Sequence, residues 1–241
     1  MKIALLSDIH GNHDALEAVL EDIAQAGAGE IFSLGDNIGY GGEPVRVMET
    51  LLARGISSVL GNHELAIRQP EHLGWFNPQA RRSLERTREL LTAEALHVIT
   101  ALPEWRTVRG MRLVHGFPPD SALIYQFQVT ESERDRIMDS MDEAICFIGH
   151  THFPDLLTWD GHHSRRIDFQ KGVVELKPGD RYIVNVGSVG QPRDGSNNAK
   201  YVVYDPDAAT VELRHVPYDV ESAVEKILEA GFPAQNAWRL R

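Results

Sequence analysis

Ala144-Ile145-Cys146-Phe147-Ile148-Gly149-His150-Thr151-His152 is an apolar run that ends in two histidines separated by one residue. The run reads as a buried strand. Residues i and i+2 of an extended segment point the same way, so both imidazoles can face one ion or an adjacent pair. Four other segments repeat the device. Lys2-Ile3-Ala4-Leu5-Leu6-Ser7 precedes Asp8-x-His10, and Ile31-Phe32-Ser33-Leu34 precedes Gly35-Asp36. Val59-Leu60 precedes Gly61-Asn62-His63-Glu64, and Met111-Arg112-Leu113-Val114 precedes His115-Gly116. Five strand ends therefore deliver only Asp, Asn and His, as in a buried sheet whose strand ends converge on one site.

Outward from these blocks, residues 1 to 65 alternate apolar strand, loop and amphipathic helix, the rhythm of βαβ units. A first helix is legible over Ala15–Ile23, with Leu16, Val19, Leu20 and Ile23 at helical spacing and Gly27 beyond its end. A second is expected from Pro44 to before Gly55. Residues 77 to 100 read as one or two helices between the Asn62 and His115 strand ends, a helical cap or insertion over approximately 70–103. Gly110 separates two short strands, and Glu131–Met138 reads as a helix. After Pro154, short alternating segments separated by Asp160-Gly161, Pro178-Gly179 and Asp205-Pro206-Asp207 predict an antiparallel second sheet. A last helix is expected over Ser222–Ala230. The whole, residues 1–241, reads as a single α/β domain of two stacked sheets with helices outside.

Composition narrows the function. The chain has 241 residues, 42% of them hydrophobic, a formal charge of -11 and a pI near 5.4. No block of basic residues offers a landing surface for a nucleic-acid backbone, so stable duplex binding is not expected. An acidic enzyme can still act on an anionic substrate, because bound divalent ions set the local field. Cys146 is the only cysteine, which excludes an intrachain disulfide and suits a reducing compartment. The amino terminus enters a strand without the features of a leader, and no apolar run approaches the roughly 20 residues needed to cross a bilayer. Cytoplasmic residence without membrane association is the expectation, and a homo-oligomer is compatible with everything read so far.

The polar groups at the strand ends are two carboxylates, Asp8 and Asp36, the Asn62 amide, and the imidazoles of His10, His63, His115, His150 and His152. This mixed oxygen and nitrogen set suits two divalent Mn, Fe, Zn, Co or Ni ions, with Mn favoured, better than Mg or Ca alone. A shared aspartate would hold such a pair roughly 3.5–4 Å apart. The two ions bring four positive charges against two aspartates. The surplus matches a bound phosphate.

The order and wording of these blocks resemble the calcineurin-like metallophosphoesterase superfamily: Asp-x-His, Gly-Asp, Gly-Asn-His-Asp/Glu, a lone His and Gly-His-x-His. Ser7-Asp8-Ile9-His10-Gly11-Asn12, Gly35-Asp36-Asn37-Ile38-Gly39-Tyr40-Gly41 and Asn185-Val186-Gly187-Ser188-Val189-Gly190-Gln191-Pro192-Arg193 look like its small bacterial and archaeal phosphoesterase branch, loosely grouped with diadenosine tetraphosphatase-like and serine/threonine phosphatase-like proteins. The resemblance implies a four-layer αββα sandwich. It also implies that Asp8, His10, Asp36 and His152 hold one ion and Asp36, Asn62, His115 and His150 the other, with Asp36 as the bridge. His63 would then be the catalytic residue beside the ions, as general acid to the leaving oxygen or as donor to the phosphoryl oxygens. The reaction expected is in-line attack on a phosphate ester by a hydroxide held between the ions.

Where related protein phosphatases carry an arginine in an Asp-Arg-Gly run, this chain has Asn37-Ile38-Gly39-Tyr40-Gly41. Without that clamp the site suits a phosphodiester, on a nucleotide or another small phosphorylated molecule, better than a phosphoprotein. Arg193 is the candidate substitute guanidinium, and Tyr40, Phe117 and Tyr125 are candidates to line a pocket for a ring, although each also reads as a packing aromatic. His13 reads as a packing or surface histidine and His162-His163 as exposed loop. Two other readings compete: a phosphomonoesterase of protein-phosphatase type, and a non-catalytic module that binds metal and nucleotide.

Overall fold

Four of the five apolar runs form strands in the computed structural model, which describes residues 1–241, and the fifth, Val59-Leu60, directly follows a strand of two residues. In chain order the strands are β1 (Ile3–Leu6), β2 (Glu30–Ser33), β3 (Ser57–Ser58), β4 (Trp105–Val108), β5 (Met111–Val114), β6 (Ile145–Ile148), β7 (Pro154–Trp159), β8 (Ser164–Ile167), β9 (Gly172–Glu175), β10 (Arg181–Val186), β11 (Ala199–Asp205) and β12 (Thr210–Val216). The helices are α1 (His13–Ala26), α2 (Pro44–Ala53), α3 (Asn62–Arg68), α4 (Pro78–Leu90), α5 (Ala93–Ala101), α6 (Glu131–Ser140), α7 (Val220–Glu229) and α8 (Ala234–Trp238).

Two mixed six-stranded sheets result, in the orders β3-β2-β1-β11-β12-β9 and β4-β5-β6-β10-β7-β8. In the first, β1 pairs in parallel with β2, Leu5 opposite Phe32, and antiparallel with β11, Leu5 opposite Val202. In the second, β6 lies parallel to both β5 and β10, with Phe147 opposite Leu113 and Val184. Side chains alternate across each strand. Ile3 and Leu5 therefore join Leu113, Phe147, Val184 and Val202 in the core between the sheets, while Ala4 and Leu6 turn outward to pack against Leu16 and Val19 of α1. On the far side, Val114, Cys146 and Ile183 pack against Met138 of α6. The layers run helix, sheet, sheet, helix, the expected four-layer sandwich.

Local chemistry explains the helix boundaries. Asn12 caps α1 by accepting the Ala15 N–H (3.1 Å), and Gly27 ends it in the left-handed region at φ 73°. The helix is longer than the apolar spacing alone marked. Pro44 opens α2, which stops before Gly55, as its place in a first turn predicts. The stretch from 77 to 100 divides into α4 and α5 because Thr92 starts a new cap, accepting the Ala95 N–H (3.2 Å).

One expectation is overturned. The strands after Pro154 do not make a separate antiparallel sheet: β9, β11 and β12 extend the first sheet, and β7, β8 and β10 extend the second. Alternation marks a strand with one wet face, but it cannot name the strand's neighbour, which is chosen by contacts distant in sequence. β10 and β11 are buried along most of their length and occupy interior positions of the two sheets. Strand β8, helix α8 and a 3-10 turn at Pro70–Trp75 carried too few periodic residues to be read.

Candidate metal centre

Four imidazoles enter the cleft with one ring nitrogen already spent on a backbone carbonyl. His10 Nδ1 donates to Ile38 (3.0 Å), His115 Nδ1 to Leu34 (2.9 Å), His152 Nδ1 to Gln191 (2.5 Å) and His150 Nε2 to Leu123 (3.2 Å). A carbonyl only accepts, so these nitrogens carry protons and the opposite nitrogen of each neutral ring offers a lone pair. The lone pairs meet. His10 Nε2 is 3.1 Å from His152 Nε2, and His115 Nε2 is 3.2 Å from His150 Nδ1. Two acceptors at this separation require a cation or a proton between them, and the donor chemistry fits a divalent transition metal.

The carboxylates are divided in the same way. Asp8 Oδ2 accepts the His150 N–H (3.0 Å), leaving Oδ1 buried without a hydrogen-bond partner, 3.1 Å from His152 Nε2. Asp36 Oδ1 accepts the His63 N–H (2.8 Å), and its Oδ2 stands 3.3 Å from His115 Nε2 and 3.8 Å from His10 Nε2. That oxygen therefore lies between the two imidazole pairs. Asn62 Oδ1 is 3.1 Å from His115 Nε2. Three groups, Asp8-His10-His152, His10-Asp36-His63 and Asp36-His115-His150, each bring their donor atoms within 4.8 Å of one another. All eight predicted residues are buried at one place, drawn from the ends of both sheets.

Burial shapes the electrostatics. Alone it would raise the Asp8 and Asp36 carboxyls, but the imidazoles around them outweigh it and hold both well below the carboxylate range. Burial lowers His63 and His150 to about 3 and His152 to about 4, so these rings are neutral near pH 7. His115 differs: burial pulls it down, and the Asp36, Asp8 and Glu64 charges outweigh that and raise it to about 9. In the metal-free protein its proton fills the gap between facing acceptors.

The backbone is strained where these side chains leave it. Of seven non-glycine residues with positive φ, five are Asp8, His10, Asp36, His150 and His152, at φ 51° to 69°. Such a conformation costs of order 1–3 kcal/mol per residue and persists where surrounding bonds over-determine it. Here Asp8 N–H donates to Gly35, His10 N–H to Asp36, and Gly190 N–H to Asp8. Glu64, fully buried, accepts the N–H groups of Asp36 (2.8 Å), Asn37 (2.7 Å) and Gly61 (3.1 Å). Asn185 fixes the other side, donating to Gly149 O (2.7 Å) and Thr151 Oγ1 (2.9 Å). At Gly149 a β-carbon would overlap the Ser7 side chain and Asp8 Oδ2, and at Gly61 it would overlap Asp36 Oδ1, so only glycine lets these loops close.

A cavity of about 320 Å³ opens above the cluster, lined among others by Tyr40, His63, Trp75, Phe76, Tyr125 and Arg193. Tyr125 stacks on the His150 ring, with centroids 3.6 Å apart. His63 stands edge-on to Phe76 and Tyr40, its Nδ1 buried without a partner. Arg193 donates to Gln191 Oε1 (3.1 Å), and its Nε is likewise unpartnered. Of the other expected aromatics, Phe117 is core packing beneath the site. His13 is buried against Thr50 (3.0 Å), away from the cleft, and His162 and His163 are exposed in the β7–β8 turn. Glu64, Asn185, Trp75 and Phe76 were missed. Glu64 sits in the Gly61-Asn62-His63-Glu64 block and Asn185 heads the Asn185-Val186-Gly187-Ser188 block, so both had a local signal; Trp75 and Phe76 have none.

Strand ends that converge on paired imidazole and carboxylate donors, beneath an open cavity, make a candidate divalent-metal site, and together with the family match they mark a metal-dependent phosphoric ester hydrolase. The family model of the calcineurin-like phosphoesterase superfamily domain matches residues 1–209, and the chain belongs to this superfamily. It is similar to the uncharacterized protein MJ0912 of Methanocaldococcus jannaschii, 32% identical over 241 residues that cover 99% of this chain and 96% of the relative. Among solved structures it resembles a metallophosphoesterase from Sphaerobacter thermophilus, with a TM-score of 0.83 and 34% identity over 100% of this chain and 98% of that one. Protein PH1004 from Pyrococcus horikoshii OT3 shares the fold, with a TM-score of 0.77 and 20% identity over 99% and 97% of the two chains. No helix is long and apolar enough to cross a membrane.

Proposed function

We propose that the protein is a phosphodiesterase with two divalent metal ions, Mn favoured, that hydrolyses a nucleotide diester or a similar small diester. The observation that carries this reading is the lining of the cavity. Apart from the histidines, Arg193 is its only cationic side chain, amid Tyr40, Trp75, Phe76 and Tyr125. A diester keeps one negative charge beside its reacting phosphorus and brings a second substituent, which one guanidinium and an aromatic wall accommodate. A monoester dianion or a phosphoprotein would call for more cationic contacts.

In this reading Asp8, His10, Asp36 and His152 would hold one ion, and Asp36, Asn62, His115 and His150 would hold the other. A bound pair supplies Lewis-acid stabilisation of the phosphoryl oxygens and of the attacking water. Overall, a P–O bond forms to water and the P–O bond to the departing oxygen breaks, the water proton ending on that oxygen. His63, neutral and 4.0 Å from Asp36 Oδ2 through Nε2, serves as an N–H donor to the phosphate rather than as a standing imidazolium acid. Arg193 pairs with the remaining phosphate charge. The segment from 70 to 103 acts as the cap, since Trp75, Phe76, Asn77 and Ala80 face the cavity.

The test is metal add-back. Stripped protein given Mn should hydrolyse bis(p-nitrophenyl) phosphate with a higher kcat/KM than p-nitrophenyl phosphate. The reverse order would make it a monoesterase, and inactivity on both despite full metal loading would favour a binding module.

A further inference from the structure

Beyond Arg193 the cleft does not end. A second groove of about 430 Å³ is lined by Gln126, Phe127, Thr151, Phe153, Asp155 and Arg166, with Arg193 as the wall it shares with the metal cavity. Thr151 lies between His150 and His152, and Phe127 stacks on Tyr125, with centroids 4.9 Å apart, while Tyr125 itself stacks on His150. A continuous aromatic ladder thus runs from a candidate ligand to the surface. Phe127 is 76% exposed and Phe153 49%, unlike the core phenylalanines Phe117 and Phe147. Exposed rings that share a groove offer flat apolar faces, which a planar ring covers with the largest contact area. The mostly exposed Arg166 guanidinium pairs with Asp155 (3.0 Å), and Asp155 is also bonded by Gln126. Two exposed aromatic rings, a paired guanidinium and amide and carboxylate groups at the edge form a stacking platform with polar edge contacts, the chemistry that receives a nucleobase.

We propose that the groove of Phe127, Phe153, Arg166 and Arg193 is a second subsite of the same centre, which holds the second nucleobase of a dinucleotide diester whose scissile phosphate lies at the metal cluster. The proposal rests on the diesterase reading and deepens it. One nucleoside occupies the cavity of Tyr40, Trp75 and Tyr125, the phosphate sits beside Arg193, and the other nucleoside crosses into the groove. Hydrolysis adds one water and yields a nucleoside and a nucleoside monophosphate.

The experiment compares a dinucleotide with the methyl ester of the same nucleotide, which has no group to place in the groove. Stacking contributes about 1–3 kcal/mol per base, so kcat/KM should favour the dinucleotide by about 5- to 160-fold in the Mn-loaded protein. The double variant Phe127→Ala/Phe153→Ala should remove most of that ratio, mainly through KM. In parallel, metal-free protein is titrated with a dinucleotide carrying 2-aminopurine, whose fluorescence is quenched on stacking. Quenching in the wild type and its loss in the double variant support the subsite. Equal kcat/KM for dinucleotide and methyl ester, or equal quenching in both proteins, overturns it. Hydrolysis of no diester at all would remove the diesterase reading, while the quenching would still report on the groove.

Discussion

The floor of the cleft and its rim meet at Arg193 but are held differently. On the floor, each candidate ligand is buried, and all but Asn62 have a second polar atom committed to a main-chain group. On the rim, Trp75 and Phe127 stand on 3-10 turns and Phe153 on a loop, and they are 64%, 76% and 49% exposed. The floor therefore has one arrangement, which sets the reaction class. The rim can change residue by residue with little effect on the fold, and it decides which ester is accepted.

Substitutions at the floor should break the protein's chemistry outright. Asp36→Asn removes the charge that both imidazole pairs share, and phosphoesterase turnover should fall on the order of 10³-fold, with metal content by elemental analysis falling alongside it. Retained turnover with full metal loading would mean that Asp36 is not shared.

Two phenylalanines sharpen the contrast in stability. Phe147→Ala, in the core between the sheets, should cost about 3–5 kcal/mol in urea unfolding. Phe127→Ala on the rim should stay within about 0.5 kcal/mol, and a larger loss would show that the rim is structural.

His63 stands where floor and rim touch. His63→Ala should lower kcat by about 100-fold, and His63→Gln, which keeps an N–H, should recover part of that loss. As a neutral donor His63 predicts similar losses on p-nitrophenyl and alkyl leaving groups. A loss confined to alkyl esters would instead identify it as the proton source.

The smallest effect expected is on pH and concerns the metal-free floor. His115 is raised from 6.5 to about 9, so its proton stabilises the folded state fully below pH 6.5, and that contribution disappears as pH rises through about 9. Thermal unfolding of stripped protein should shift gradually downward over that window. Metal-loaded protein should not show the shift, because a cation replaces the proton. The same competition means that metal affinity rises with pH up to about 9.

Much of the floor is legible in the sequence. Asp8, His10, Asp36, Asn62, His63, His115, His150 and His152 each follow an apolar run, and the structure brings all eight together. The rim was less legible: Tyr40 and Tyr125 reach the cavity as suspected, Phe117 does not, and Trp75 and Phe76 gave no warning. An aromatic residue in a loop has the same local signature whether it packs or waits for a ligand.

The amino-acid sequence by itself determined which residue types stand at the strand ends, and with them a donor set for divalent metal, because strand periodicity and side-chain donors are local properties. Tertiary structure alone decided that β11 pairs with β1 and β10 with β6, and which nitrogen of each imidazole faces the cleft. Those choices depend on partners far along the chain, such as the Leu34 carbonyl for His115 and the Gln191 carbonyl for His152. Such pairings are fixed only when the sheets stack and close.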